Sequence, residues 1–330
     1  ALMVSLWLHR WSQHHGQAWR SASTGLQERQ VVARPLAMPQ PSLTGHEHLL
    51  PMRVSATRYE ALRQCPYQFF ARSVLSLQEH DELEEGVDGA DQGELLHAVL
   101  QRFHVERDAH LAARTLEQEV DAWMAAAQAV MVEQGLQQES MRPYFRPYEQ
   151  QLPRLAMAYV SWWLAHERQG WSVRDMEFDA QLRVPLEGGE SLTLDGRLDR
   201  LDVRHVADQG MQAHVIDYKT GGKDKLSKRL KTPLEDTQLL FYAVLSSRDE
   251  PLDASYLHLG KDDKAEAGGM KATLMPHHDI QQHTERFLQG VVQDWTALRR
   301  GQGMPAMGER EACEYCQARG LCRKDDWSRA

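Results

Sequence analysis

The sequence predicts a mixed α/β fold in which a central mixed sheet is flanked by helices. Two segments between Leu192 and Thr220 alternate apolar and polar residues with a period of two, which is typical of strands. Segments on both sides, around Leu96 and around Val291, carry apolar residues at helical spacing. A chain of 330 residues can bury a sizeable core in one or two domains.

Composition and charge are those of an ordinary globular protein. Hydrophobic residues make up 42% of the chain, charged residues make up 26%, and the net charge is −9. This negative charge argues against general electrostatic binding of nucleic acid, although active-site acids contribute to it and bound cations would cancel part of it. No apolar run approaches the roughly 20 residues that span a bilayer, so no membrane partner is expected.

Residues 1–52 are predicted to be the tail of a preceding domain followed by a linker. Residues 1–30 are rich in Trp and His, predict an amphipathic helix and do not begin with Met. Residues 34–51 contain four prolines, which is linker composition. A second domain is therefore expected over residues 53–330.

Two helices are expected before the strands. The first begins after Ser55, a suitable N-cap, and should bury Tyr59 and Leu62. The second opens near Gln92, after an acidic segment over residues 79–91 that predicts a loop. His97 lies beside the apolar stripe of this second helix, where a histidine is usually a core residue.

Residues 105–170 predict a long helical insertion. Residues 109–131 are rich in Ala, and the helical periodicity is broken at Pro143, Pro147 and Pro153. The aromatic residues here are expected in the core rather than as base-stacking platforms; they are Tyr144, Phe145, Tyr148, Trp162 and Trp163.

Acidic and basic side chains are predicted to converge on the two strands. Asp217 and Lys219 share one face of the second strand because side chains alternate, and Asp199 joins them if the strands pair as a hairpin. Two carboxylates can bind a hard cation, and the lysine amine beside them can take part in catalysis. Taken alone, Asp-x-Lys also fits a solvated strand face.

A basic segment and a helix follow the second strand. The segment has five basic residues within nine positions, namely Lys223, Lys225, Lys228, Arg229 and Lys231. It fits either a solvated loop or a loop that contacts phosphate groups. The helix has Pro233 in its first turn, and Gln238 and Tyr242 lie on one face at positions i and i+4. Residues 254–259 then predict a strand and residues 277–300 a helix.

The four cysteines indicate a metal site. Cys313, Cys316 and Cys322 form a C-x2-C-x5-C motif, and Cys65, which precedes Pro66, is the only other cysteine. Four cysteines are too few for a disulfide scaffold and indicate a reducing cytoplasm. The spacing alone accepts zinc or an iron–sulfur cluster.

Together these motifs resemble the PD-(D/E)xK nuclease superfamily, specifically the exonuclease domains of the RecB/AddB type, over about Val54 to Trp327. The resemblance implies a restriction-endonuclease-like core and a cluster-binding segment over residues 311–327. In that family the glycine of Gly-x-x-x-His, here Gly93, lets its helix approach the sheet closely. The cysteine pattern implies a [4Fe–4S] cluster with a structural role, with Zn²⁺ as the alternative.

The resemblance also implies site residues for Mg²⁺- or Mn²⁺-dependent hydrolysis of DNA. His97, Asp199, Asp217 and the backbone carbonyl of Tyr218 would hold the cation. Lys219 would orient or help to deprotonate the attacking water, and Gln238 and Tyr242 would position the DNA strand. Asp202 is expected at the surface or behind the ligands.

The resemblance further implies that this is the C-terminal part of a helicase–nuclease that acts on DNA ends, single-stranded or duplex, in double-strand-break repair. A helicase module would then lie in the same chain or complex. The alternatives are a CRISPR-associated adaptation exonuclease, which shares the cluster and the His-Asp-Asp-Lys set, and a catalytically silent DNA-binding module of the same fold.

Overall fold

The computed structural model describes most of the chain from Met38 onwards. The described residues are 38–77, 89–108, 114–139, 141–208, 210–232, 234–246, 250–261, 269–309, 311–314 and 316–324. The helix predicted over residues 1–30 and most of the loop predicted over residues 79–91 therefore lie outside them. Among the described residues, no helix is long and apolar enough to cross a bilayer.

Within the described residues, six strands form one sheet. The strands are β1 (Arg53–Ser55), β2 (Ser172–Pro185), β3 (Ser191–Val206), β4 (Gly210–Lys219), β5 (Leu252–Lys261) and β6 (Met270–Pro276). Their order is β1-β3-β4-β5-β6, with β2 also paired to β3. The pairs β1–β3 and β4–β5 are parallel and the others are antiparallel, so the predicted mixed sheet is confirmed.

The predicted hairpin is the centre of this sheet. Strands β3 and β4 are antiparallel, with Leu201 opposite Val215 and Arg200 opposite Ile216. The polar residues between the two alternating segments mostly belong to the strands, because β3 runs to Val206 and β4 begins at Gly210. Polar side chains suit this end of the hairpin, where Arg204 Nε donates to Gln212 Oε1 at 2.8 Å.

The longer helices agree with the apolar periodicity. They are α1 (Ala56–Gln64), α2 (Gly89–Asp108), α3 (Leu116–Glu133), α4 (Arg142–Glu149), α5 (Leu152–Glu167), α6 (Lys223–Arg229), α7 (Thr237–Ser246) and α8 (Ile280–Arg299). Ser55 caps α1 as predicted, since its side chain accepts from Arg58 N–H. Phe145, Tyr148 and Trp163 are buried as predicted, whereas Tyr144 is exposed.

Three local predictions were wrong. The basic segment after β4 is the helix α6 rather than a loop. Helix α7 begins at Thr237, several residues later than predicted, where Asp236 Oδ1 accepts from Leu239 N–H at 2.9 Å. Pro147 lies inside α4 instead of ending it.

Two helical layers cover the two faces of the sheet. Helices α1, α7 and α8 pack on one face, and α2, α3 and α5 pack on the other. Val215 belongs to the first core and Ile216 to the second, because adjacent residues of a strand point to opposite faces.

Part of the Pro-rich segment packs on this unit. Residues 39–322 form one compact unit, and Leu43 and Leu50 are buried in its core. Trp295 Nε1 donates to Pro51 O at 3.1 Å. Residues 39–52 are thus an ordered edge of the unit rather than a free linker, while the preceding domain stays a prediction.

Candidate active site

The hairpin brings Asp199 and Asp217 together at the sheet. Asp199 Oδ2 accepts from the backbone N–H of Tyr218 at 2.7 Å, which ties the β3 carboxylate to the strand that carries Asp217 and Lys219. Asp199 is 8% exposed and Asp217 is 1% exposed. Two carboxylates removed from water this far need a positive partner, because burial alone disfavours their charged forms.

Lys219 and helix α7 supply some of the contacts that stabilise the charged form of Asp217. Lys219 Nζ forms an ion pair with Asp217 Oδ2, and Gln238 Nε2 donates to Asp217 Oδ1 at 3.0 Å. Gln238 Nε2 also lies 3.3 Å from the hydroxyl of Tyr242, one turn further along α7. The predicted set of Asp217, Lys219, Gln238 and Tyr242 therefore meets at one place.

His97 reaches the same place from α2. Its Nδ1 lies 3.0 Å from Glu177 Oε1 and 3.5 Å from Asp199 Oδ1. Among the described residues, His97, Glu177 and Asp199 each offer one ligand atom, and these atoms all lie within 4.8 Å of one another. Asp217 lies beside this trio and acts on it electrostatically, since its charge raises the pKa of both Asp199 and His97.

Glu177 was missed by the sequence reasoning. It lies in β2 at a left-handed backbone angle, φ +45°, which is strained for a residue with a side chain. Its Oε2 accepts from Arg197 Nε at 3.0 Å. In sequence Glu177 is one of several alternating charged residues of β2. Only the pairing of β2 with β3 distinguishes it from a residue on a solvated strand face.

The pKa shifts reflect a crowded acidic site. Burial, followed by the charge of Asp217, raises the pKa of Asp199 from 3.8 to about 7. Burial also raises the pKa of Asp217, although Lys219 opposes it. Burial works against the charged form of His97, but the hydrogen bond to Glu177 and the charge of Asp199 outweigh it and raise the pKa of His97.

This donor set fits a hard divalent cation. Oxygen ligands with one imidazole suit Mg²⁺ or Mn²⁺, and a cation would offset the burial and the repulsion from Asp217 that raise the pKa of Asp199. The arrangement then offers a cation site with a lysine and an amide next to it, which is the chemistry of phosphoryl-group hydrolysis.

A buried polar network lies on the face of the same strands that α2 and α5 cover. Arg200 Nε donates to Asp202 Oδ1 at 2.6 Å, and Arg200 Nη1 donates to Tyr159 OH at 2.7 Å and Tyr218 OH at 3.3 Å. Asp202 is fully buried, with His166 Nε2 at 2.9 Å from its Oδ2. The expectation that Asp202 lies at the surface or behind the ligands was therefore wrong: its side chain points into the core formed with α5.

The basic residues proposed as DNA contacts fall into two groups. Arg229 is used inside the protein, with its Nη2 at 2.9 Å from Glu60 Oε1 and its Nε at 3.9 Å from Asp236 Oδ2. Lys225 and Lys228 are exposed on α6, and Lys223 is half-buried. Their contact with DNA stays a prediction.

The cysteines converge from the two ends of the unit. Burial raises the pKa of the Cys316 thiol, and the neighbouring Cys65, Cys313 and Cys322 thiols act in the same direction. A Cβ on Gly308 would lie 3.0 Å from Cys65 Cβ and 3.4 Å from Cys313 Sγ, so the backbone of Gly308 packs tightly against these two cysteines. Four thiols at one place form a suitable donor set for zinc or an iron–sulfur cluster.

The sequence profile of the PD-(D/E)XK nuclease superfamily matches residues 53–323. The match covers most of the chain and includes the hairpin, His97, Glu177 and α7, so the chain belongs to this superfamily of nucleases.

Relatives at lower coverage carry a more specific name. An ATP-dependent helicase/deoxyribonuclease subunit of Desulforudis audaxviator is 33% identical over 195 residues, which are 55% of this chain and 16% of that protein. The corresponding protein of Alkaliphilus oremlandii is 28% identical over 225 residues, 63% of this chain and 19% of that protein. The matches span less than a fifth of these relatives. The crystal structure of SSO0001 covers 82% of this chain at 12% identity, but its TM-score of 0.30 adds nothing to the assignment.

Proposed function

We propose that this chain is a Mg²⁺- or Mn²⁺-dependent exonuclease domain that hydrolyses the phosphodiester bonds of DNA. The observation that carries the proposal is the meeting of ligand atoms from His97, Glu177 and Asp199 beside the Asp217–Lys219 ion pair. Membership of a nuclease superfamily supports it.

Each residue of the site has a separate task in this proposal. His97, Asp199, Asp217 and the carbonyl of Tyr218 would hold the cation, with Glu177 as a further carboxylate. When bound, such a cation lowers the pKa of a coordinated water and offsets charge on the phosphoryl group in the transition state. Lys219, the cation of the ion pair with Asp217, would orient the attacking water, and its positive charge would ease the loss of the water's proton. Gln238 fixes Asp217 and, with Tyr242, positions the DNA strand.

The cellular role we propose is that of the nuclease part of an AddB-like helicase–nuclease in the repair of DNA double-strand breaks. The name that the relatives carry supports this role. A helicase module in the same chain or complex would supply the affinity that a net charge of −9 does not. A CRISPR-associated adaptation exonuclease is the second candidate, because it shares the cysteine pattern and the His-Asp-Asp-Lys set.

For the four cysteines we propose a structural [4Fe–4S] cluster that ties Cys65 to the C-terminal segment. Anaerobic purification should give a brown protein with iron and inorganic sulfide in equal amounts. A colourless protein with one zinc per chain would favour the zinc alternative.

The test of the nuclease proposal compares linear and covalently closed circular DNA with the wild-type chain and the Asp217→Ala and Lys219→Ala variants. Shortening of linear DNA should require Mg²⁺ or Mn²⁺, spare the circle and disappear in both variants. Cleavage in excess chelator would contradict the metal mechanism, and nicking of the circle would indicate an endonuclease. Metal-dependent DNA binding without cleavage would identify a silent binding module.

A further inference from the structure

A cleft of about 640 Å³ opens beside the candidate cation site, between α2 and the β2–β3 hairpin. Its lining includes His97 and Glu177 from the site itself, together with Gly93, Gln101, Gln134 and Arg197. No Phe, Tyr or Trp side chain of the described residues lines it. The cleft is therefore continuous with the site but lacks a platform on which a base could stack.

Arg197 presents a cation to this cleft. Its side chain is 58% exposed, and its Nε is used by Glu177 Oε2 at 3.0 Å. Within the described part of the chain its two terminal nitrogens have no acceptor, so they remain available to a ligand. A planar guanidinium held by one tether, with two free nitrogens, suits the oxygens of a phosphate group.

Gly93 leaves space that the described residues do not fill. It lies inside α2, where glycine is less favourable than alanine, and its φ is not in the left-handed region. A Cβ there would meet no atom of the described residues within 4 Å, so the expectation that this glycine permits close packing of the helix on the sheet was wrong. Neither backbone conformation nor packing requires glycine at this position.

The chemistry of the lining selects the kind of ligand. One cation and the amides of Gln101 and Gln134 match the sugar and phosphate of a nucleic-acid strand. The acids are compatible with this, because Glu177 is already paired with Arg197 and His97, and Glu94 is exposed at the rim.

We propose that this cleft binds the nucleotide next to the scissile phosphodiester, with Arg197 on its phosphate and with the space over Gly93 filled by its sugar. The proposal rests on the proposed nuclease function. Arg197 is joined to His97 through Glu177 by two contacts of 3.0 Å, so the bound phosphate adjoins the cation site. In this proposal the cleft recognises the sugar–phosphate backbone of the nucleic acid, so binding is independent of base sequence.

The first experiment measures binding of a single-stranded oligonucleotide by fluorescence anisotropy in Ca²⁺ over a range of salt concentrations. Arg197→Gln should weaken binding about tenfold and reduce the slope of log K against log salt by about 0.7, the value for one lost phosphate contact. Arg183→Gln is the control, because Arg183 is an exposed arginine on the same hairpin, opposite Thr193. An unchanged slope in Arg197→Gln would overturn the proposal.

The second experiment substitutes the glycine. Gly93→Ala should raise Tm by about 1–3 °C, since alanine favours a helix, yet reduce cleavage of DNA several-fold. Gly290→Ala in α8, where the new Cβ would meet only Tyr59 OH at 3.8 Å, should raise Tm and leave cleavage unchanged. Full DNA cleavage by a stabilised Gly93→Ala chain would contradict the proposal.

Hydrolysis of bis(4-nitrophenyl) phosphate separates the two proposals, since this small phosphodiester has no neighbouring nucleotide. For Arg197→Gln and Gly93→Ala, the loss on DNA should exceed the loss on the small substrate at least fivefold. Equal losses on both substrates would mean that the cleft residues act only through the cation site. A wild-type chain that cleaves neither substrate would refute the nuclease function, while the salt slope would still test the cleft.

Discussion

Asp217→Asn is expected to stabilise the cation-free chain at pH 8 although it removes a carboxylate of the proposed catalytic site. In the folded chain Asp217 is 1% exposed and faces Asp199, and burial raises the pKa of both carboxyl groups. The amide keeps the shape of the side chain and can still accept from Gln238 through its Oδ1. Only the charge, and with it the ion pair to Lys219, is lost.

The size of the stabilisation expected for Asp217→Asn follows from the pKa of Asp199. A rise from 3.8 to about 7 corresponds to about 4 kcal/mol against the folded state once the group is ionised. Burial is the larger cause, so removing the charge of Asp217 should recover about 1–2 kcal/mol. Loss of the ion pair to Lys219, which is 28% exposed and can reach water, should cost less than about 1 kcal/mol.

The pH dependence has a definite sign. Because the pKa of Asp199 is higher in the folded state than in the unfolded state, its contribution to stability is lost as pH rises from about 4 to about 7. At pH 5 Asp199 is protonated in the folded chain, so Asp217→Asn should increase the free energy of unfolding only a little. Saturating Mg²⁺ should stabilise the wild-type chain more at pH 8 than at pH 5, and should stabilise the variant less.

Urea unfolding in chelator and in Mg²⁺, at both pH values, measures these differences. Asp202→Asn is the matched control: it makes the same substitution at a buried aspartate whose charge is compensated by Arg200 and His166. Breaking that pair should cost about 3–5 kcal/mol with or without cation. If Asp217→Asn were as destabilising as Asp202→Asn in chelator at pH 8, the proposed repulsion between Asp199 and Asp217 would be refuted.

Four further outcomes are expected. Glu177→Gln should weaken Mn²⁺ binding at least tenfold in calorimetric titration, and unchanged affinity would remove Glu177 from the ligand set. Cys322→Ala should lower both the metal content, measured by elemental analysis, and Tm, measured by calorimetry, because metal binding contributes to folding. Full metal content in this variant would exclude the Cys322 thiol as a ligand. Trp295→Phe should cost about 1–2 kcal/mol in urea unfolding by leaving the carbonyl of Pro51 without its donor, and no change would mean that this contact is dispensable. Tyr218→Phe removes the hydroxyl that accepts from Arg200, and it should lower kcat more than it raises KM. Restoration of kcat by excess Mn²⁺ would show that only cation affinity had changed.

The sequence could predict the parts of the site that depend on spacing within one element. Asp217 and Lys219 follow from the period of a strand, Gln238 and Tyr242 from the period of a helix, and Asp199 from the assumption of a hairpin. Glu177 could not be predicted, because its approach to His97 depends on how β2 pairs with β3 and on one strained backbone angle.

The same limit explains the error at Asp202. Asp-Arg-Leu-Asp reads as a polar strand face, and a buried ion pair has the same sequence pattern as an exposed one. Only the position of α5, which brings Tyr159 and His166 to Arg200 and Asp202, makes that face part of the core. Gly93 is a third case, since its motif was recognisable but the open space above it was not.

The buried network adjoins the candidate cation site on the same pair of strands. Tyr218 donates its backbone N–H to Asp199, while its hydroxyl accepts from Arg200. Arg200 directly follows Asp199, so a single guanidinium constrains both strands next to their acidic residues. The charge of Asp217 raises the pKa of Asp199, so the two carboxylates would tend to move apart on a pliable backbone. We propose that this buried anchor keeps them close enough to share the proposed cation, and that charged groups are retained for this reason in a core that apolar residues could fill.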